Sequence, residues 1–365
     1  MSMELPLPSS TTSSIERLLL VRLGSMGDII HTLPAAFALR AALPDATIGW
    51  VVEERWAELL CAASEPRSGP RSPRRPLVDT LHVVDTRAWR KNWFSTQTWE
   101  RIGAAMSDLR APGYEVAVDF QGAFRSAFLA RLSGAPAIYG FRQPRENVAS
   151  MLYTRQVIAQ GNHIVEQNLS LAESVIGQRL GTRNLEFPCD EGAETKCAAW
   201  LRRESIADFI LMNPGAGWGA KQWPAARYGE VAKHLAQDGL RVLINTGPGE
   251  EKLAESVQLA SQRAVTIVNW PIPDLIALTR RARVFIGGDT GPMHLAAALG
   301  VPVVAIFGPT NPIRNGPFGT RGIVLRNPSS TTSHSHRRAR DPGMLEIKVD
   351  EVVMAARKLL GQNCG

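Results

Sequence analysis

Cysteine is scarce in this chain, and the four cysteines form no recognisable pattern. Cys61, Cys189, Cys197 and Cys364 make no CxxC pair and no cluster with histidine. A disulfide framework and a structural zinc site are therefore disfavoured, and reduced thiols of a cytosolic protein fit better. The sequence also has no carboxylate pair with evident metal-ligand spacing, so we expect no metal and no other cofactor.

Long apolar runs are absent as well. No stretch approaches the roughly 18–20 apolar residues that a membrane-spanning helix needs. Residues 1–14 hold an acid, two prolines and a polar run instead of a basic segment followed by a long apolar core. We interpret them as a loose leader and not as a signal peptide, so the protein should stay on the side of the membrane where it was made.

The rest of the composition is that of an ordinary folded protein with a basic surplus. The 365 residues suit two domains, and 44% hydrophobic with 21% charged residues excludes wholesale disorder. The formal net charge is +7 and the pI is about 9.5. This charge favours an anionic partner, such as a phosphate ligand, a nucleic acid or an acidic membrane surface, without choosing among them.

The stretch from Val284 to Pro312 has the pattern of one βαβ unit of a parallel sheet. An apolar strand ends in Gly287–Gly291, an apolar helix follows, and a second strand closes at Gly308. Thr290 can cap this helix, and Gly291 lets an anion approach the backbone N–H groups. The turn suits a diphosphate, although an ordinary turn without a ligand fits the same stretch.

A second glycine-rich turn follows the first predicted strand, Ile15–Leu23. It places Asp28 at the start of a helix over Ile29–Leu43, with His31 about one helical turn away on the same face. An acid at this position is commonly a helix cap, so its chemistry stays open on local grounds.

Three glycine-rich turns in the second half follow predicted parallel strands: Asn213–Lys221, Thr246–Glu251 and Gly287–Gly291. The carboxyl ends of parallel strands share one edge of a sheet, so these turns can converge on one ligand. Lys221 suits a diphosphate, Glu250 suits paired ribose hydroxyls, and Trp270 could cover a base. Convergence favours a nucleotide site.

Several basic segments stand apart from the strands. Thr86–Ser95 interleaves Arg87, Arg90 and Lys91 with tryptophans, which suits an anionic ligand, a membrane-facing edge or a plain solvated surface. The Arg-rich segments 64–76 and 329–341 have the composition of loops, and we expect the first to be mobile.

The alternation of strands and helices predicts an α/β protein with two Rossmann-like doubly wound domains that face a central cleft. We expect an N-terminal domain over 15–190, a C-terminal nucleotide-binding domain over 191–345, and a final helix and tail over 346–365.

Several motifs together resemble the ADP-heptose:lipopolysaccharide heptosyltransferases, GT-B enzymes of glycosyltransferase family 9. They are VRLGSMGDIIHTLP (21–34), KQWP (221–224), GDTGPMHLAAA (288–298) and FGPTNP (307–312). The resemblance extends from about Arg17 to Leu360, and TRAWRKNWFS and DFQGAFRSA (119–127) are most similar to heptosyltransferase I. In place of paired threonines and a methionine of those relatives, this chain has Ala216–Gly217 and Trp270.

The resemblance implies inverting, metal-independent transfer of a heptose from ADP-L-glycero-D-manno-heptose to the Kdo region of the lipopolysaccharide inner core. It implies that Asp28 is the catalytic base. It implies that Lys221, Glu250, Asp289, Thr290, Gly291 and His294 bind the ADP-sugar. The substituted positions Ala216, Gly217 and Trp270 belong to the same predicted site. The implied acceptor-binding residues are Arg87, Arg90, Lys91 and Arg125.

The same resemblance implies partners and location: an ADP-heptose donor, a Kdo-lipid A or related anionic glycolipid acceptor, and peripheral contact with the cytoplasmic face of the inner membrane. In the cleft we expect the Asp28 pKa to be raised, or the carboxylate to act mainly by orienting the acceptor hydroxyl.

Five alternatives can be weighed from the residues. Asp289–Thr290–Gly291 is the aspartic-protease tripeptide, but there is one copy, in a βαβ setting. Gly24 and Gly27 do not complete a dinucleotide-binding GxGxxG. No RRM, KH or helix-turn-helix pattern supports nucleic-acid binding, so we expect none. A family 9 enzyme with a different sugar or acceptor, or a non-catalytic sugar-nucleotide-binding paralogue, stays open.

Overall fold

A computed structural model describes residues 15–92, 94–333 and 341–361. The predicted leader, Trp93 and most of the second Arg-rich segment (334–340) lie outside the described residues. So does the side chain of Arg90, although its backbone belongs to a described helix.

The first half of the described chain forms a parallel six-stranded sheet in the order β3-β2-β1-β4-β5-β6. Its central strand, RLLLV, is apolar and buried after the half-buried Arg17, as a parallel strand covered on both faces requires. The strands are β1 (Arg17–Val21), β2 (Thr47–Glu53), β3 (Thr80–Val84), β4 (Val116–Asp119), β5 (Ala137–Phe141) and β6 (Arg155–Val157). The helices are α1 (Met26–Ala42), α2 (Thr86–Lys91), α3 (Thr96–Arg110), α4 (Phe124–Leu132) and α5 (Ile164–Ile176), with 3₁₀ segments at Glu54–Leu59 and Asn147–Leu152.

The second half forms another parallel six-stranded sheet among the described residues, in the order β12-β11-β10-β7-β8-β9. Its strands are β7 (Phe209–Asn213), β8 (Arg241–Asn245), β9 (Val265–Val268), β10 (Val284–Gly288), β11 (Val303–Phe307) and β12 (Gly322–Arg326). Its helices are α6 (Glu191–Arg203), α7 (Ala225–Gln237), α8 (Glu251–Ala260), α9 (Ile272–Arg280), α10 (Gly291–Ala298), α11 (Pro312–Asn315), α12 (Pro342–Glu346) and α13 (Val349–Leu360), with a 3₁₀ turn at Gly219–Lys221. The final helix packs against α7 and the sheet of the second half.

The segment 64–76 forms a loop, as predicted, but a buried arginine that the prediction of mobility did not include organises it. The Arg75 side chain is buried at 1% exposure, and the segment folds around it. Its guanidinium donates to the carbonyl oxygens of Gly69 and Pro70 at 2.8 and 2.9 Å, and also to that of Asp79. The basic composition hid a buried arginine that organises the backbone around it.

The two halves meet along helices from both sheets. Helix α1 packs against α10, and apolar side chains of both halves belong to one continuous core. Within the described part of the chain, no helix is long and apolar enough to cross a membrane. The α1–α10 contact brings the two glycine-rich turns at their N-termini face to face.

Candidate active site

A cleft of about 1130 Å³ lies between the two halves, where the carboxyl ends of the strands meet. Two acids, Asp28 and Glu53, line it. Seven cationic side chains of the described residues also line it: Arg22, Arg55, Arg87, Arg125, Arg145, Arg314 and Lys221. Such an excess of positive charge in a concave site attracts an anionic ligand.

Asp28 lies in the first turn of α1 and lines this cleft. Its Oδ1 is 2.8 Å from Nη2 of the buried Arg22. Its Oδ2 accepts hydrogen bonds from the backbone N–H of Ser25 at 2.9 Å and from the Ser25 hydroxyl at 3.1 Å. Asp28 therefore caps its own helix and at the same time presents a carboxylate to the cleft. A capping role and a place in the site are thus compatible for this residue.

The expectation of a raised Asp28 pKa is wrong. Burial raises the pKa of this carboxyl, but the Arg22 charge and the Ser25 hydrogen bonds outweigh burial and hold the pKa below its usual value. Asp28 is thus an ionised carboxylate of low basicity at neutral pH. This chemistry favours the other expectation, that the side chain acts mainly by orienting a hydroxyl.

A chain of polar contacts joins the two halves beside the cleft. His31 Nε2 on α1 lies 3.0 Å from His294 Nδ1 on α10, and His294 Nε2 lies 3.0 Å from Asp289 Oδ1. Asp289 Oδ2 in turn lies 2.5 Å from Lys221 Nζ. Burial raises the Asp289 pKa, but His294 and Lys221 reverse this and hold it well below its usual value. Asp289, Lys221 and His294, predicted together from the sequence, lie together.

The environment of Gly291 differs from the one predicted. Thr290 is the N-cap residue of α10, but no side-chain capping bond forms, and its hydroxyl faces the Gly288 carbonyl oxygen at 3.3 Å. A Cβ on Gly291 would lie 2.7 Å from Met26 Sδ. Glycine is needed here because Met26 of α1 packs on the bare Cα, so the helix contact explains it without an anion.

The nucleotide-binding candidates on the other turns are spread along the edge of the second sheet. Glu250 Oε2 accepts from the Gly247 N–H at 2.7 Å, and a Cβ on Gly215 would clash with the Glu250 carboxylate. Gly217 is exposed and Ala216 half-buried, on the same turn as Lys221. Of these, only Lys221 is among the described residues that line the cleft.

Trp270 is half-buried and lies against α6. Its ring meets Trp200 edge-to-face with centroids 4.9 Å apart, and Lys196 Nζ lies 5.9 Å from its centroid. The side chain is packed against its own half of the protein, at the predicted sheet edge but outside the lining of the cleft.

The structure separates the predicted acceptor-binding residues. Arg87 and Arg125 line the cleft with Asp28, and Arg125 Nη1 donates to the Thr86 hydroxyl at 2.7 Å. Lys91, at the end of α2, lines a different cavity of about 780 Å³. Arg87 and Lys91, four residues apart on a short helix, therefore line two cavities, and their binding to one common ligand stays a prediction.

Sequence reasoning missed four cationic residues that line the cleft: Arg22, Arg55, Arg145 and Arg314. Arg22 directly follows β1, is only 6% exposed, and pairs with Asp28. Arg314 enters the cleft from α11, and burial lowers its pKa while Asp28 opposes that shift. Arg22 stands two residues before Gly24, where the glycine-rich turn begins, and this position is a signal that could have been used. Arg314 follows a turn motif and carries no such signal.

Comparisons with known proteins identify the family of the chain. The family model described as "Glycosyltransferase family 9 (heptosyltransferase)" matches residues 102–344. The chain belongs to glycosyltransferase family 9. It is 31% identical over 322 residues to lipopolysaccharide heptosyltransferase 1 of Pseudomonas aeruginosa, covering 85% of this chain and 83% of that one. It is 27% identical over 316 residues to the Escherichia coli K12 enzyme of the same name, with 86% and 94% covered.

Solved structures give the same answer for the fold. The E. coli heptosyltransferase WaaC with ADP superposes with a TM-score of 0.72 at 26% identity, covering 94% of this chain and 99% of that one. A family 9 glycosyl transferase from Veillonella parvula reaches 0.76 at 22% identity, with 94% and 97% covered, which bears on the fold alone. This family 9 chain is a glycosyltransferase with the GT-B fold, as the sequence predicted.

Proposed function

We propose that this chain transfers a heptose from ADP-heptose to the Kdo region of the lipopolysaccharide inner core, as heptosyltransferase I does. The family and the names of its relatives support this reaction. WaaC, solved with ADP and with ADP-2-deoxy-2-fluoro heptose, supports the donor. The observation that carries the proposal is the position of Asp28. Its carboxylate lines a strongly basic cleft that also holds Lys221 of the other half.

The acceptor in this proposal is an anionic glycolipid on the cytoplasmic face of the inner membrane. Arg87, Arg125 and Arg145 line the first half's side of the cleft and suit carboxylate or phosphate groups. Asp28 would orient the attacking hydroxyl and accept its proton as the oxygen bonds to the anomeric carbon. The bond from that carbon to the diphosphate breaks, and ADP leaves with the electron pair.

The leaving group requires positive charge on the side of the second half. Lys221 supplies it within the ion pair with Asp289, and the N–H groups at the start of α10 add a partial positive charge. We propose that these groups act without a metal. Contact between the two halves around the substrates would exclude water and limit hydrolysis of the donor.

A direct assay tests the proposal. ADP release is measured with ADP-heptose and a Kdo-containing acceptor, and the product is identified by mass spectrometry. ADP-, GDP- and UDP-sugars are compared by thermal shift against a shared buffer control. Stabilisation by ADP-heptose together with Kdo-dependent transfer supports the proposal. Binding of ADP-heptose without turnover would favour a non-catalytic paralogue. Turnover with another donor would show that the transferred sugar is not heptose.

A further inference from the structure

Helix α4 carries apolar side chains on both of its faces. Ala127, Leu129 and Ala130 are buried against the first sheet, whereas Phe124 and Phe128 are 46% and 41% exposed. The two exposed rings stack on each other with centroids 5.9 Å apart. A helix on a protein surface usually turns a polar face to water, so an apolar outer face indicates a partner.

The neighbouring 3₁₀ segment extends this apolar surface. Val148 and Met151 of Asn147–Leu152 are 46% and 81% exposed. The segment packs against α4, and its start is tied to the start of the helix by the Phe124 N–H, which donates to Glu146 Oε2 at 2.8 Å. The α4 surface, defined as Phe124, Phe128, Val148 and Met151, is thus built from two connected elements.

Positive charge surrounds this surface. The exposed Arg131 follows Phe128 by one helical turn, and the exposed Arg125 and Arg145 stand beside Phe124 and Glu146. The acid of this region, Glu146, already accepts the Phe124 N–H. Apolar side chains with a rim of arginines match the boundary between the acyl chains and the anionic headgroups of a bilayer.

The α4 surface also borders the cleft. Arg125 and Arg145 line the cleft, and each lies within one to three residues of an exposed apolar side chain of the surface. We propose that the α4 surface docks onto a bilayer with anionic headgroups, so that a membrane-anchored acceptor enters the cleft beside it. This inference rests on the proposed function for the acceptor. A second copy of the chain fits less well, since a two-fold contact would bring the arginine rims together.

Co-sedimentation with vesicles tests the surface. The full chain and the triple variant Phe124→Ser, Phe128→Ser, Met151→Ser are mixed with vesicles of phosphatidylethanolamine and phosphatidylglycerol. Each lost apolar anchor weakens partitioning, so we expect binding to fall by roughly tenfold or more. The matched control is Leu259→Ser with Met354→Ser, two exposed apolar residues of the second half that should bind as the parent does.

Charge is tested separately with Arg131→Glu, which should weaken binding at low salt and lose its effect on vesicles without phosphatidylglycerol. Unchanged melting temperature and ADP affinity show that each variant is folded. Binding of the triple variant equal to that of the parent would overturn the proposal. A parent that is dimeric, with a monomeric triple variant, would overturn it in favour of self-association.

A pair of acceptors separates this inference from the proposed function. The triple variant should keep parental turnover with a water-soluble acyl-free acceptor and lose it with the same acceptor embedded in vesicles. Equal loss with both acceptors would contradict the docking role. A parent that binds vesicles through this surface but transfers no heptose to either acceptor would contradict the proposed function and leave the surface standing.

Discussion

His31 and His294 lie in contact between the two halves of the protein, with His31 Nε2 3.0 Å from His294 Nδ1. The contact links the helix that carries Asp28 to the helix that begins at Thr290–Gly291. Since His294 also contacts Asp289, one chain of polar contacts joins the two halves beside the cleft.

The histidine contact predicts a pH dependence of stability. Burial, together with the neighbouring His294 and His163, holds the His31 pKa well below its usual value. As pH falls below about 6.5, His31 becomes protonated in the unfolded chain but stays neutral in the folded protein. The free energy of unfolding therefore falls by up to about 1.4 kcal/mol per pH unit. Urea unfolding between pH 7 and pH 5 should show a shallower fall for His31→Gln. The control His234→Gln, at an exposed histidine, should lose as much unfolding free energy as the parent does. An equal loss in His31→Gln would contradict the prediction.

Asp28 and Arg22 predict the acid side of the activity profile. Since Arg22 and Ser25 keep the Asp28 pKa below its usual value, Asp28 should contribute no acid limb to kcat/KM above about pH 5. Replacement Arg22→Gln removes the charge that opposes burial, so the Asp28 pKa and the acid limb should move to higher pH. Replacement Arg22→Lys keeps the charge and should leave the acid limb at the parental pH. Asp28→Ala should lose transfer and keep ADP affinity. Near-parental turnover of Asp28→Ala would exclude its role in the chemistry.

Arg314 predicts an acceptor contact supplied by the second half. Its charge lies near Asp28 and Arg22, and it lines the cleft beside Lys221. Replacement Arg314→Gln should raise the acceptor KM about tenfold, because one charge-assisted hydrogen bond is worth about 1.5–3 kcal/mol. The KM for the donor should stay at the parental value. The neighbouring exposed Ile313→Ser is the control, and a selective rise in donor KM would instead assign Arg314 to the diphosphate.

Arg87 and Lys91 should differ, because they face two cavities. Arg87→Ala should weaken acceptor use several-fold and spare ADP affinity, since Arg87 lines the cleft. Lys91→Ala should have the smaller effect on a short acceptor, because Lys91 lines the separate cavity. Steady-state kinetics with one short acceptor decides, and equal effects of the two replacements would show that both cavities hold the same ligand.

Arg75 predicts that the segment 64–76 is structural. Replacement Arg75→Ala removes a buried side chain and the donor to several part-buried carbonyl oxygens, so we expect a loss of about 3 kcal/mol in the free energy of unfolding. Arg74→Ala breaks one surface ion pair with Glu191 and should cost less than about 1 kcal/mol. Denaturant unfolding compares the two variants. Two equally small losses would show that the segment contributes little to stability, as expected of a mobile loop.

The sequence alone predicted the two doubly wound sheets, the glycosyltransferase family and the grouping of Lys221, Asp289 and His294. The sheets follow from local patterns, whereas the family and the places of Asp289 and His294 in the site came from the resemblance of whole motifs. Apolar runs set the strands, glycine-rich turns mark the carboxyl edge, and a parallel sheet brings its turns to one side.

Only the tertiary structure decided which charges meet. Arg22 and Asp28 are six residues apart across a turn, yet their ion pair sets the Asp28 pKa against the effect of burial. Met26 packs on Gly291, and Arg75 is buried although its neighbours are solvated. Such outcomes depend on contacts between distant segments, and a linear pattern of residue types does not specify those contacts, because one arginine suits a surface, a buried core or a cleft equally well.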